Sequence, residues 1–199
     1  MPAAPKFWQY FLAVEADLSA CSRYVEFSEE NYSSYSNEFA KIIVIAASEI
    51  DSILRELCEQ INPEAKANNI LQYFDVICGK FQYFNQCEIE VPSSGLRLAP
   101  WNGWSKTASP SWWGQGFNKI KHDRSNNFQT ANLRNAMCAV GALFLTIQHY
   151  HHHANNEPFQ VDFNMVNRLF TPAKAVTDKS GMFWSYGVPW QHIIKDSVA

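Results

Sequence analysis

The sequence lacks the patterns that mark membrane spans, disulfide frameworks and zinc sites. Its most apolar stretch, 136–147, is well under the ~20 residues that a membrane helix needs, and Glu15 and Asp17 end the apolar N-terminal run 7–14. The five cysteines are scattered, with no CxxC pair, and their odd number argues against a disulfide framework. We therefore expect a cytoplasmic protein with free thiols and no membrane association.

Motifs of the common enzyme classes are also missing. The chain contains no Gly-rich phosphate loop, no G-x-S-x-G nucleophile elbow and no H-E-x-x-H zinc motif. We therefore predict neither a metal nor a cofactor. A net charge of −3 and a pI of about 6.1 argue against a protein that coats nucleic acid over its whole surface. They are compatible with a local basic groove.

The apolar pattern of the chain predicts a mainly α protein. Apolar residues recur at a spacing of three to four in four segments, 7–27, 36–61, 70–84 and 131–150. Ser36 and Asn69 are the predicted N-caps of the second and third helices. Asn127 or Thr130 is predicted to cap the last long helix. Pro110 suits the first turn of a further helix over 112–121.

The pattern changes from helical to alternating around 87–99. Alternating residues lie on either side of Ser93-Ser94-Gly95, which predicts a small β-hairpin inserted between helices. We predict an antiparallel helical bundle domain over 1–156 that carries this hairpin. An irregular, aromatic-rich C-terminal extension, 157–199, is predicted to pack back on the bundle.

Acidic residues are almost absent from 91–156. This window has six Lys or Arg and a single acid, Asp123, so it carries +5. The rest of the chain must then carry −8 to give the net −3. The centre of the window is Asn118-Lys119-Ile120-Lys121-His122-Asp123-Arg124.

His122 is the candidate catalytic group of this window. Histidine can act as a general base or acid near neutral pH, and Lys121 and Arg124 can hold phosphate or stabilise developing negative charge. Asn118, four residues earlier, would share its helical face. A base, cations and a polar positioner are the elements of an RNA phosphodiester-cleaving site. The simpler alternative is a basic helix end whose histidine caps or packs.

This polar-plus-His pattern ahead of a long last helix resembles the HEPN superfamily (higher eukaryotes and prokaryotes nucleotide-binding). The motif of that superfamily is an Arg, a polar residue and, a few residues later, a His. Asn118 and His122 match the polar residue and the His, whereas Phe117 stands where the Arg belongs. The acidic second helix around 48–54 is also similar to that of uncharacterised bacterial members.

The resemblance implies an antiparallel helical bundle, usually dimeric, and a metal-independent RNase of toxin or phage-defence systems. Lys121 or Arg124 would then have to replace the missing Arg, and the site would lie at a homodimer interface. The first hypothesis is therefore an RNA- or nucleotide-binding protein, with catalytic roles for His122, Arg124 and Asn118 and substrate contacts for Lys121, Lys119 and Glu49. Glu49 would orient His122 or pair with Arg124 if their helices face each other. The simpler alternative, which we favour, is a carboxylate at the edge of the apolar stripe that lies in water or forms an ordinary ion pair.

A second hypothesis belongs to a different class. The same bundle would be a non-catalytic module that binds a partner protein, and its Lys-His-x-Arg corner would be structural, bonded to Glu49 or Asp51.

Two further clusters invite a functional interpretation. His149 and His153 lie four residues apart, but no acid is nearby, so we predict a polar helix end rather than a metal site. Four tryptophans near the basic residues could stack on bases. We predict instead that they belong to the core: Trp101, Trp104, Trp112 and Trp113.

Overall fold

The computed structural model describes residues 5–155, 169–174, 184–185 and 188–189. In these ranges the helices are α1 Trp8–Cys21, α2 Asn37–Ile61, α3 Ile70–Lys80, α4 Asn118–Asn127 and α5 Leu133–Asn155. The strands are β1 Glu88–Val91, β2 Leu96–Leu98, β3 Thr171–Lys174, β4 Trp184–Ser185 and β5 Val188–Pro189. The prediction of a mainly α fold with a small hairpin is confirmed.

Two helix starts follow from local capping. The Ser36 hydroxyl accepts a hydrogen bond from the Phe39 amide at 3.1 Å, and the Asn69 side-chain oxygen accepts from the amides of Leu71 and Gln72 at 3.1 Å each. Each cap satisfies amides that the first turn of a helix leaves without partners. Both predicted caps are therefore confirmed.

The predicted caps of the last helix, Asn127 and Thr130, are wrong. The side-chain oxygen of Asn132 accepts from the amide of Asn135 at 3.0 Å, and α5 begins between them at Leu133. A 3₁₀ turn precedes it, in which the Thr130 hydroxyl donates to the Asn127 carbonyl at 2.7 Å. The polar residues predicted as caps thus stabilise the turn before the helix.

Two other helices end earlier than predicted. α1 ends at Cys21 rather than Phe27, and α3 ends at Lys80 rather than Phe84. The apolar residues beyond these ends still bury their side chains, because Phe27, Phe81 and Phe84 all belong to the core. Periodic burial therefore continues through turns that are no longer helical.

α2 and α5 pack side by side and run in the same direction. At one end, the Ser36 amide donates to the Ala131 carbonyl at 3.2 Å, just before both helices begin. At the other end, the Tyr150 hydroxyl donates to the Glu56 carboxylate at 2.5 Å. α1 runs antiparallel to this pair. The long connection through α3, the hairpin and α4 allows this arrangement, which differs from a simple up-and-down bundle.

α5 is the centre of the core. All of its residues from 141 to 150 are buried. Phe11 of α1 stacks on Phe144 with 5.5 Å between ring centroids, and β1 covers Gly141 through Ile89. A helix can be buried on all sides because its backbone bonds are satisfied internally.

The hairpin is part of a three-stranded antiparallel sheet with the order β2-β1-β3. β1 pairs with β2 in the register Ile89↔Leu98, and β3 adds to its other edge with Glu90 opposite Thr171. This third strand was not predicted, because its pairing is non-local. β4 and β5 form a separate two-stranded pair.

The described start of the C-terminal extension packs on the bundle. Leu169 and Phe170 are buried, and the Leu169 amide donates to the Glu15 carboxylate at 2.8 Å. The predicted boundary at 156–157 lies outside the described residues. No helix of the described part is long and apolar enough to cross a membrane.

We expect Gly141→Ala to destabilise the fold. A Cβ at this position would collide with Ile89 Cδ1 and lie 3.3 Å from Pro100 Cγ. Overpacking of this kind costs about 1–3 kcal/mol, against a gain of up to about 1 kcal/mol in helix propensity. Urea unfolding measures the balance.

Ile89→Val supplies the control for this clash, since valine lacks Cδ1. The loss of stability from Gly141→Ala should be smaller in the Ile89→Val background than in the wild type. Equal losses in the two backgrounds would contradict the close approach of β1 to α5.

Candidate functional site

A π-helical turn, Trp112–Phe117, leads into α4. A Cβ on Gly114 would lie 2.7 Å from Ser109 Oγ, and one on Gly116 would lie 3.2 Å from Asn135 Nδ2. Both glycines therefore permit close packing of this turn. Such turns are frequent at functional sites. The predicted helix over 112–121 is thus a π-helical turn followed by α4.

α4 lies on the surface and buries little. Its one fully buried side chain is Ile120, 5% exposed. Asn118 is half-buried, and the polar residues from Lys121 to Asn126 are exposed, as is Lys119. The cations of the basic window therefore face solvent.

His122 is exposed and makes no hydrogen bond or ion pair with any residue that the structure describes. The backbone becomes non-helical only after it, at Asp123, where φ is −153° and ψ is 64°. Asn118 therefore lies one regular helical turn before His122. The two share a face, as the spacing predicts.

Asp123 does not neutralise the cations beside it. Its carboxylate accepts from Asn126 Nδ2 at 2.9 and 3.1 Å, from Asn127 Nδ2 at 3.2 Å and from Ser125 Oγ at 3.3 Å. The acid is therefore bonded to side chains in the second half of the helix. In the described ranges no ion pair involves α4. Within these ranges the local positive charge is not paired with a carboxylate.

Two of the cations rest on aromatic rings. Lys121 Nζ lies 5.4 Å from the Phe117 ring centroid, and the Arg124 guanidinium carbon lies 5.0 Å from that of Phe128. Arg124 also donates a hydrogen bond to the side-chain oxygen of Asn37. These contacts orient the cations without cancelling their charge.

The parallel direction of α2 and α5 adds to the positive potential at this end of the molecule. Their N-termini lie together, as the bonds between 32–36 and 131–134 show. Each helix N-terminus is equivalent to roughly half a positive charge. The N-terminal ends of the two longest described helices therefore reinforce the charge of α4 near Arg124.

The structure does not bring Glu49 to His122 or Arg124. Glu49 follows Asn37 by twelve residues on α2, which places it roughly 18 Å further along the helix axis. It lines an open groove of about 630 Å³ beside the first turns of α1. Burial raises the pKa of its carboxyl above the ordinary value. Asn37 therefore occupies the place expected for Glu49 beside Arg124.

Asp51, the other proposed partner of the basic corner, is engaged elsewhere. Its carboxylate accepts from Arg55 at 2.7 Å and from the Tyr73 hydroxyl at 3.1 Å. Neither acid proposed to hold the Lys-His-x-Arg corner contacts it.

The histidine cluster is a part of the core, so the prediction of a polar helix end is wrong. His149 Nδ1 lies 2.7 Å from the Leu145 carbonyl oxygen. The ring centroids of His149 and Phe84 are 4.5 Å apart. His151 Nε2 lies 2.8 Å from the Lys6 carbonyl oxygen, and burial lowers its pKa. Among the described residues, no group of three or more His, Cys, Asp or Glu could hold a metal ion.

The four tryptophans are buried, as predicted. Trp104 donates from Nε1 to the Ile70 carbonyl at 2.8 Å, and Trp112 to the Pro100 carbonyl at 2.7 Å. Their rings contact each other and Phe84. They are therefore not available to stack on bases.

Three of the described thiols are poor nucleophiles. Burial raises the pKa of Cys58, Cys78 and Cys138 to about 12 each, so these thiols stay protonated at neutral pH. The thiolate is the reactive form of cysteine.

Three residues beside α4 were missed in the sequence: Tyr35, Asn37 and Phe128. Tyr35 lies 5.3 Å from Phe128 between ring centroids. The pairing of 32–36 with 131–134 brings Tyr35 and Asn37 close to α4 and Phe128, although about a hundred residues separate the two segments. No local pattern in the sequence reveals this proximity. The available signal was the presence of two aromatic residues in otherwise polar stretches.

Comparisons with protein-family models, with curated proteins and with solved structures found no match to this chain.

We expect ionisation of Glu49 to lower the stability of the fold as pH rises above 4.5, the ordinary pKa of a glutamate. Its folded-state pKa is raised, so the folded state holds this proton more tightly than the unfolded state does. Ionisation through that window therefore favours unfolding. Glu49→Gln should remove this component and raise the melting temperature at pH 7.

Thermal melts between pH 4 and pH 7 measure the effect, with the exposed Glu64→Gln as the control. A lower melting temperature for Glu49→Gln at pH 7 would contradict the account, because it would show that the carboxylate is stabilised by a partner.

Proposed function

We propose that this protein binds RNA through α4 and cleaves it without a metal ion. Lys119, Lys121 and Arg124 contact phosphates, His122 is the general base and Asn118 positions the reacting groups. The HEPN resemblance favours a homodimer with the site near its interface, and a role in a toxin or phage-defence system. Support for the proposal comes from an exposed imidazole among cations that form no ion pair with an acid in the described ranges.

The chemistry that fits these groups is transesterification within RNA. His122 takes the proton of a ribose 2′-hydroxyl, and the 2′ oxygen attacks the adjacent phosphorus. The bond to the 5′ oxygen breaks and that oxygen takes a proton from water. The protonated His122 gives its proton to the resulting hydroxide, and a 2′,3′-cyclic phosphate remains. Lys121 and Arg124 stabilise the negative charge that develops on the phosphate oxygens.

One observation carries the proposal. The Asp123 carboxylate accepts hydrogen bonds from the side-chain amides of Asn126 and Asn127 and forms no ion pair with Lys121, Arg124 or His122. A structural basic corner would be expected to pair its charges with carboxylates, as Lys6 does with Glu56 at 2.6 Å. The open cations of α4 are instead suited to an anion from outside the chain.

A second candidate function is a non-catalytic module that binds a partner protein. The observation that favours it is the bond between Arg124 and Asn37, together with the Phe128 ring below the guanidinium. These contacts give Arg124 a structural role within the chain. This function becomes the preferred one if the wild type neither binds nor cleaves RNA.

We expect the wild type to cleave a mixed RNA pool in the presence of EDTA and His122→Ala to cleave it about 10²–10⁴-fold more slowly, the usual contribution of a general acid or base. Both proteins are purified in parallel, so that a contaminating nuclease would act equally in both. Equal cleavage by the two proteins, or none by either, would remove the ribonuclease proposal.

We expect binding of single-stranded RNA to weaken in Lys119→Ala/Lys121→Ala and its salt dependence to decrease. Each phosphate contact on a single strand contributes about 0.7 to the slope of log K against log salt, so the pair should remove about 1.4. Lys66→Ala/Lys80→Ala is the matched control, because it removes the same charge from exposed positions outside α4. Equal loss in both variants would show that net charge, rather than α4, controls binding.

A further inference from the structure

An exposed aromatic patch adjoins the cations of α4. Tyr35 is 56% exposed, and its ring meets that of half-buried Phe128 at 5.3 Å and 78°. The Arg124 guanidinium carbon lies 5.0 Å from the same Phe128 ring. We refer to Tyr35, Phe128 and Arg124 as the Tyr35 platform. It is continuous with the site, since Arg124 follows His122 by two residues.

The backbone fixes the position of the platform. The Leu133 amide donates to the Ser34 carbonyl at 2.9 Å, and Tyr35 forms an isolated antiparallel bridge with Asn132. The bond from Arg124 to Asn37 ties α4 to the same place. The backbone position of Tyr35, and with it the exposure of its ring, is therefore fixed by hydrogen bonds of the neighbouring residues Ser34 and Ser36.

Exposure alone would not distinguish Tyr35, because single apolar residues are common on protein surfaces. Tyr24 is 88% exposed, yet it has no ring or cation contact among the described residues. Tyr35 combines exposure with an aromatic neighbour and a nearby guanidinium. Aromatic rings beside a cationic groove are the arrangement that holds unpaired bases.

We propose that the Tyr35 platform stacks one unpaired base of the RNA, so that the substrate class is single-stranded rather than duplex RNA. This inference rests on the proposed function, because α4 supplies the phosphate contacts. A base on Tyr35 places the adjoining phosphate toward Arg124, whose guanidinium lies against the Phe128 ring that Tyr35 contacts. In a duplex the base faces are covered by their neighbours, so the platform would have nothing to stack on.

The test uses the full chain and a fluorescein-labelled RNA of mixed sequence, about 12 nucleotides long, within the range of known single-strand sites. Fluorescence anisotropy is measured for wild type, Tyr35→Ala, Tyr35→Phe and the control Tyr24→Ala. We expect Tyr35→Ala to weaken binding about tenfold, the scale of one stacked base. Its salt slope should equal that of the wild type, since no charge is removed. Tyr35→Phe and Tyr24→Ala should bind as the wild type does.

Two substrates separate stacking from a structural effect. An RNA that carries an abasic position should bind the wild type more weakly than intact RNA does. Tyr35→Ala should bind the two RNAs equally, because this variant already lacks the ring on which the base stacks. Duplex RNA of the same sequence should bind equally to both proteins. If Tyr35→Ala fails to fold, the platform is still tested by comparing the binding of abasic and intact RNA to the wild type. Tyr35→Phe, which keeps the ring, should give the same difference.

The outcomes that overturn the platform differ from those that overturn the RNA function. Two outcomes overturn the platform alone, provided that the wild type binds RNA in a salt-dependent way. In the first, Tyr35→Ala binds RNA with the same affinity as the wild type. In the second, the wild type binds intact and abasic strands with equal affinity. An equal loss of duplex and single-strand binding in Tyr35→Ala also overturns it. Absence of RNA binding by the wild type overturns both proposals.

Discussion

The parallel packing of α2 against α5, which is buried throughout 141–150, is the constraint on which the rest of the structure depends. It is fixed at one end by the bond between the Ser36 amide and the Ala131 carbonyl, and at the other by Tyr150, Glu56 and Lys6. Because this part of α5 is enclosed, α1 and the sheet must cover it. Polar segments that cannot enter this core, α4 above all, remain on the outside at the N-terminal end of the pair.

The candidate site follows from that geometry. The π-helical turn fastens the start of α4 to the core through buried aromatic rings, and the contact of Arg124 with Asn37 fastens its second half to α2. Before the second anchor, α4 carries Lys119, Lys121 and His122 into solvent, and Arg124 forms that anchor. After the kink, the Asp123 carboxylate bonds to Asn126 and Asn127 rather than to these cations. A locally cationic surface on an acidic protein is the consequence.

Local signals in the sequence predicted the parts of the fold that depend on few residues. Ser36 and Asn69 cap their helices as expected, because a cap depends only on the side chain and the next three amides. Long-range packing decided the rest. Several polar residues could have capped α5, and the pairing of 131–134 with 32–36 selects Asn132. The histidine run 149–153 looks polar, yet Phe81 and Phe84 from a distant turn cover it.

The same limit applies to the site. The basic window and the shared face of Asn118 and His122 follow from the spacing of the residues in a regular helix. The distance of Glu49 from this face and the proximity of Tyr35 depend on how helices are placed relative to one another, which no single segment encodes. We propose that RNA binds the molecule at α4. Amide chemical-shift mapping with a single-stranded RNA tests this most directly: shifts confined to 118–128 and the segment 32–37 are predicted, and shifts centred on the groove beside Glu49, or none, would contradict it.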